Sequence, residues 1–175
     1  MEQTWIDRAR SEPAVVAALA VFAISAATLA GAWYFELVLK LPPCHLCLEE
    51  RIPYHVAIPL SLLVAIAAIV RAPRTLIAVG FLAIIAALLC GAALGAYHAG
   101  VEWHFWAGPT DCTGPLTDLR SGGPLINQLQ SINVVRCDEA AWRLFGISLA
   151  GYNVLISLLL AAIAGYGLLA LRQRA

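Results

Sequence analysis

Four stretches of this chain carry no charged side chain over a length sufficient to cross a lipid bilayer. Residues 14–35, 52–70, 75–101 and 144–171 run for 22, 19, 27 and 28 positions without Asp, Glu, Lys or Arg. A helix rises about 1.5 Å per residue, so roughly 20 apolar residues cover the ~30 Å hydrocarbon layer. Strands are far shorter, and an open sheet would leave its edge backbone unpaired in lipid. Composition agrees: 61% of the residues are hydrophobic and 13% charged, where a soluble domain carries about 25% charge. The expected fold is all-α, a bundle of four transmembrane helices in one integral membrane domain over 1–175, embedded in the lipid bilayer.

Charge excludes other classes. Eleven basic residues balance eleven acidic ones, without the cationic cluster that phosphate backbones require, so no nucleic-acid partner is expected. Pro53 and Pro59 predict a bend or a late start in the second span. In the third, Gly91 and Gly95 have GxxxG spacing, which suits close helix contact. The first run also has features of a signal peptide, with Arg8 and Arg10 before it and Ala30-Gly31-Ala32 near its end, but it exceeds the usual 7–15 apolar residues.

Orientation follows from Lys and Arg. Segments 1–13, 71–74 and 172–175 hold six basic residues in 21 positions, whereas segments 36–51 and 102–143 hold five in 58. The positive-inside rule then places both termini in the cytoplasm and both longer loops outside. Cys44 and Cys47 fall in the first outer loop and Cys112 and Cys137 in the second, on the side where disulfides persist. One pair per loop is the simplest of three connectivities. Cys90, within the third span, reads as a small buried apolar residue.

Cys44-His45-Leu46-Cys47 is a Cys-x-x-Cys motif, preceded by Pro42 and Pro43 and followed by a membrane helix. That spacing allows an easily reduced disulfide, and a helix start favours the thiolate that attacks or leaves. A static disulfide and half of a zinc site are the alternatives. Zinc would want a second close ligand pair, whereas 24 residues separate Cys112 from Cys137; no metal is expected. Arg51, four positions after Cys47, shares a helical face with it and would stabilise a thiolate or a reduced anionic partner. Its plainer role is an interface anchor paired with Glu49 or Glu50. His45 is placed to lower the thiolate pKa.

His98, near the outer end of the third span, suits a hydrogen bond to a lipid-soluble cofactor or proton shuttling. It also reads as an interfacial polar residue beside Trp103, Phe105 and Trp106. With His55 it would make a bis-histidine haem pair. In the second loop, Leu125, Ile126, Leu129 and Ile132 have helical spacing, which predicts a short amphipathic helix. Gly114-Pro115 and Gly122-Gly123-Pro124 supply hinges around it.

Two signatures resemble the DsbB family of bacterial inner-membrane disulfide bond formation proteins. Pro43-Cys44-His45-Leu46-Cys47-Leu48-Glu49-Glu50-Arg51 is similar to the family's Pro-Cys-x-x-Cys-x-x-Glu-Arg. Cys137-Asp138-Glu139-Ala140-Ala141-Trp142-Arg143-Leu144-Phe145-Gly146 is similar to the stretch before its last helix. The resemblance implies a quinone-dependent thiol oxidase located in the inner membrane. A DsbA-like periplasmic thioredoxin-fold partner would attack Cys112 of a Cys112 and Cys137 disulfide. Cys137 would then attack Cys44, and Cys47 would be released as the thiolate facing ubiquinone or menaquinone from the membrane pool. Arg51 matches the family arginine associated with quinone, His98 matches a family histidine and joins it as a candidate cofactor-binding residue, and Trp142 is assigned to packing. Outside the resemblance, a haem-binding carrier and a structural membrane protein with inert disulfides remain as alternatives.

Overall fold

The computed structural model describes residues 2–109 and 136–172, with side chains over 13–109 and 136–171. Its elements are α1 (Glu2–Leu37), α2 (His45–Glu49), α3 (Ile52–Ile69), α4 (Arg74–Glu102), β1 (Arg143–Leu144), β2 (Ile147–Ser148) and α5 (Leu149–Arg172). Four stretches are long and apolar enough to cross a membrane: Pro13–Leu37, His45–Ile69, Arg74–Glu102 and Leu149–Leu171. The protein is a multi-pass membrane protein with an all-α bundle. The amphipathic stretch expected at 125–132, the loop hinges and Cys112 lie outside the described residues.

The long helices form a ring: α1 packs on α3, α3 on α4, α4 on α5, and α5 back on α1. Their interior is tight and built from small or branched residues. Phe81, Ile84, Leu88, Leu160 and Val21 are fully enclosed, with Ala14, Ala17, Ala18, Ala57 and Ala65 packed among them. Bulky side chains such as Leu63, Ile69, Leu76 and Leu159 face outward. Lipid does not drive apolar groups inward, so close packing of small residues holds such helices together. Gly91 and Gly95 do this where α4 meets α5. A Cβ on Gly91 would sit 3.1 Å from Pro53 and 3.3 Å from the Ser157 hydroxyl, and one on Gly95 would sit 3.0 Å from the Asn153 amide. The GxxxG spacing thus has a specific contact.

The second span is interrupted. After α2 the chain turns at Glu50 and Arg51, and Arg51 caps α3 with Pro53 in its first turn. Proline costs little there, because the first helical N–H groups have no intrahelical acceptor. Pro53 therefore accompanies a late start, and the expected outer loop 36–51 includes a short helix.

Two expectations need correction. The last helix begins at Leu149, not at 144, because residues 143–148 form a small hairpin in which Arg143 pairs with Ser148 and Leu144 with Ile147. Its two-residue turn has positive φ at both Phe145 (50°) and Gly146 (80°), the geometry that fits the twist of paired strands. Apolarity alone gave no sign of this break. Cys90 is exposed on the outer face of α4 rather than buried, since a helix with apolar residues on every side does not reveal from sequence which side faces lipid.

Candidate active site

The ends of α1, α3, α4 and α5 meet around α2, and the site lies there. Pro42 and Pro43 lead into Cys44, whose extended backbone (φ −76°, ψ 172°) makes it the N-cap of α2. The Cys44 sulfur accepts the backbone N–H of Cys47 at 3.2 Å. This local geometry brings the two sulfurs to 2.7 Å as a free dithiol. Cys44 is buried and Cys47 half-buried.

His98 crosses from α4 to Cys44. Its Nε2 lies 3.6 Å from the Cys44 sulfur and its Nδ1 2.6 Å from Glu50 Oε1. One turn along α4, Glu102 Oε1 lies 3.9 Å from His98 Nε2. The other Glu102 oxygen is buried and has no hydrogen-bond partner among the described residues. A hydrogen bond with the Cys47 thiol favours the Cys44 thiolate most. With the hydrogen bond and charge of His98 it outweighs burial and holds Cys44 down to about 4. His45, by contrast, is exposed and lies 3.7 Å from Glu49. The imidazole beside the sulfur is thus His98.

Arg51 does not pair with Glu49 or Glu50. Its guanidinium donates to Glu36 Oε2 at 2.6 Å, reaching from the start of α3 to the end of α1. Both residues line a cavity of about 400 Å³, together with Cys44, Cys47, Tyr54 and His98. Deeper in, the Tyr54 hydroxyl donates to Asn153 Oδ1 at 2.6 Å and lies 3.0 Å from the Ser157 hydroxyl. Trp142 lines the mouth and packs on Phe35 with ring centroids 5.1 Å apart, the packing role expected of it.

Cys137 is disulfide-bonded. It is also buried in one cluster with Cys44, Leu46 and Val101, against which Cys47 packs, so three of the four expected cysteines come together. His55 is exposed on α3, with its Nδ1 2.8 Å from the Arg51 carbonyl. His98 instead is buried and turns its two ring nitrogens to Glu50 and Cys44.

Glu36, Glu102, Tyr54 and Asn153 were absent from the sequence-based site. Only the four-residue spacing of His98 and Glu102, which aligns them on one helical face, was available to find any of them.

The model of the family described as disulfide bond formation protein DsbB matches residues 14–167. A relative from Rickettsia prowazekii (strain Madrid E), described as uncharacterized protein RP370, is 28% identical over 150 residues, covering 84% of this chain and 83% of the relative. No solved structure matches the chain.

Proposed function

The chain belongs to the DsbB family of disulfide bond formation proteins, and on that premise we propose that it reoxidises a periplasmic thioredoxin-like dithiol oxidase of the DsbA type through two cysteine pairs. The observation that carries this reading is the burial of disulfide-bonded Cys137 in one cluster with Cys44, at a cavity lined by Cys44 and Cys47. An inert disulfide would have no need of a second, free dithiol packed against it.

In the proposed relay, a partner thiolate attacks Cys112 of the Cys112 and Cys137 disulfide and releases the Cys137 thiolate. The partner's second thiolate then resolves the mixed disulfide and leaves oxidised. Cys137 attacks Cys44 in its disulfide form and releases Cys47, after which Cys112 recaptures Cys137 and frees Cys44. Each transfer exchanges one S–S bond for another, and two electrons accumulate on the Cys44 and Cys47 dithiol. His98 is placed to take the Cys44 proton at Nε2, with Glu50 at Nδ1 fixing the ring; a base held by a second group is the arrangement that activates nucleophiles.

The cavity fits a quinone head: about 400 Å³ is within the usual range for small-molecule sites, which are mostly apolar with few polar groups. Ubiquinone or menaquinone, when bound, supplies an acceptor for two electrons and two protons. Arg51, Tyr54 and His98 are the polar lining residues that would hold and orient it. We further propose that the protein resides in the bacterial inner membrane with both termini cytoplasmic and the cysteine loops periplasmic.

The test is quinone-dependent oxidation of a reduced thioredoxin-like substrate by purified protein, with Cys47→Ser as control. Turnover by the unmodified chain and its loss in the variant are expected; full activity in the variant refutes the proposed electron path.

A further inference from the structure

We propose that the reduced Cys44 and Cys47 pair, with His98, forms a binding site for one thiophilic divalent cation of the zinc class, and that disulfide formation abolishes it. The sequence offered only a cysteine pair, and its second pair was too widely spaced to complete a site. The fold supplies a third ligand, His98, from α4. The two sulfurs and a ring nitrogen of His98 lie within 4.8 Å of one another.

Their geometry suits tetrahedral coordination. With zinc bonds of about 2.3 Å to sulfur and about 2.0 Å to nitrogen, neighbouring ligand atoms stand roughly 3.5 Å apart. Cys44 Sγ and His98 Nε2 are already at 3.6 Å. The two sulfurs, at 2.7 Å, must separate by about 1 Å to span a metal, a movement open to the half-buried Cys47 side chain. Three protein ligands leave the fourth tetrahedral position to water, as in sites of the Cys2His type; Glu102, whose Oε1 stands 3.9 Å from His98 Nε2 and whose buried Oε2 has no hydrogen-bond partner among the described residues, lies beside it.

Glu50 completes the arrangement. A ligating histidine commonly donates its other N–H to a carboxylate, which fixes the tautomer and raises ligand basicity. With Nδ1–H donated to Glu50 at 2.6 Å, the Nε2 lone pair is directed toward Cys44 and Glu102. Metal capture binds both cysteines as thiolates and His98 through an unprotonated Nε2, and whatever protons these three groups carry beforehand are released to buffer. No electrons move, so the ion holds the dithiol reduced until it leaves. Resting on the function proposed above, such an ion acts as a reversible inhibitor that selects the reduced enzyme.

The experiment uses the full chain in detergent carrying Cys90→Ser, Cys112→Ser and Cys137→Ser, so that Cys44 and Cys47 are its only thiols. Zinc ions compete with a chromogenic chelator for the reduced and the oxidised forms. One zinc per chain is expected in the reduced form, with affinity at least a hundredfold lower after oxidation. His98→Ala should weaken binding at least tenfold, and Glu50→Gln by about 10–100-fold. Cobalt in place of zinc should give a thiolate-to-metal charge-transfer band and the intense visible absorption of tetrahedral coordination. Equal affinity of the two redox forms, or reduced protein without the cobalt band, overturns the proposal even if His98→Ala does not fold. Neither quinone nor protein partner enters the measurement, so failure here leaves the thiol-oxidase reading standing.

Discussion

His98 Nδ1 lies 2.6 Å from Glu50 Oε1, joining the third transmembrane helix to the turn that follows the Cys-x-x-Cys motif. Both side chains are nearly enclosed, at 4% and 10% exposure. The contact fixes the imidazole whose other nitrogen faces Cys44, and it gives the first prediction. His98→Ala should slow reoxidation of the dithiol by about a hundredfold, the lower end of what a positioned acid or base contributes. Glu50→Gln, which keeps the shape but removes the charge, should slow it about tenfold. Stopped-flow oxidation of prereduced protein measures both; unchanged rates in folded variants would remove the pair from the mechanism.

The low value at Cys44 sets a pH dependence. A depressed thiol pKa keeps the thiolate present above about 4 and loses it only as pH falls through that value. Alkylation of Cys44 in the reduced protein should therefore persist at pH 6, where an ordinary thiol, with a pKa near 8.5, has almost stopped reacting. Cys47→Ala removes the largest cause of the shift and should raise the midpoint. Mass spectrometry of trapped samples across pH locates it.

Arg51 and Glu36 form a pair within the cavity wall, 14% and 32% exposed. Breaking one partner leaves the other charge poorly solvated. Arg51→Gln should thus destabilise the protein more than the double variant Arg51→Gln with Glu36→Gln, with a coupling of about 0.5–3 kcal/mol in a double-mutant cycle. Denaturation in detergent reports the stability. Additive effects would mean that the ion pair contributes nothing.

Two helical glycines should respond differently to the same substitution. Gly95→Val places atoms against Asn153 and the Ala150 carbonyl, whereas a Cβ at Gly165 meets nothing within 4 Å. The first should cost about 1–3 kcal/mol by overpacking, and the second should be close to neutral. Thermal unfolding in one detergent compares them; equal losses would contradict the close contact between α4 and α5.

Cys90, on the lipid-facing side of α4, should tolerate replacement. Cys90→Ala is expected to change stability by less than about 0.5 kcal/mol and to leave turnover intact. The same unfolding and oxidation assays decide it.

Much of this architecture was legible beforehand because it depends on run length. The spans read at 52–70 and 75–101 end within one residue of α3 and α4, since an uncharged run this long has few alternatives in lipid. The last span was misjudged at its start, where the hairpin depends on two positive φ angles instead of on apolarity. Within the site, the motif cysteines were evident from local spacing. The partners of Arg51 and His98 were not, because each lies far away along the chain.

The sequence alone determined that the chain crosses a membrane, how many spans are available, and that a Cys-x-x-Cys pair precedes Arg51. These are properties of composition and short-range order. Only the tertiary structure decided that His98, 54 residues from Cys44 in the chain, supplies the imidazole while neighbouring His45 faces Glu49. It likewise decided that Glu36 meets Arg51 and that Cys137 is buried with Cys44. The physical reason is that these helices are apolar on nearly every side, so no polar stripe fixes their rotation in advance. Close packing at Gly91 and Gly95 helps set how α4 and α5 meet, and such contacts between helices determine which side chains come together.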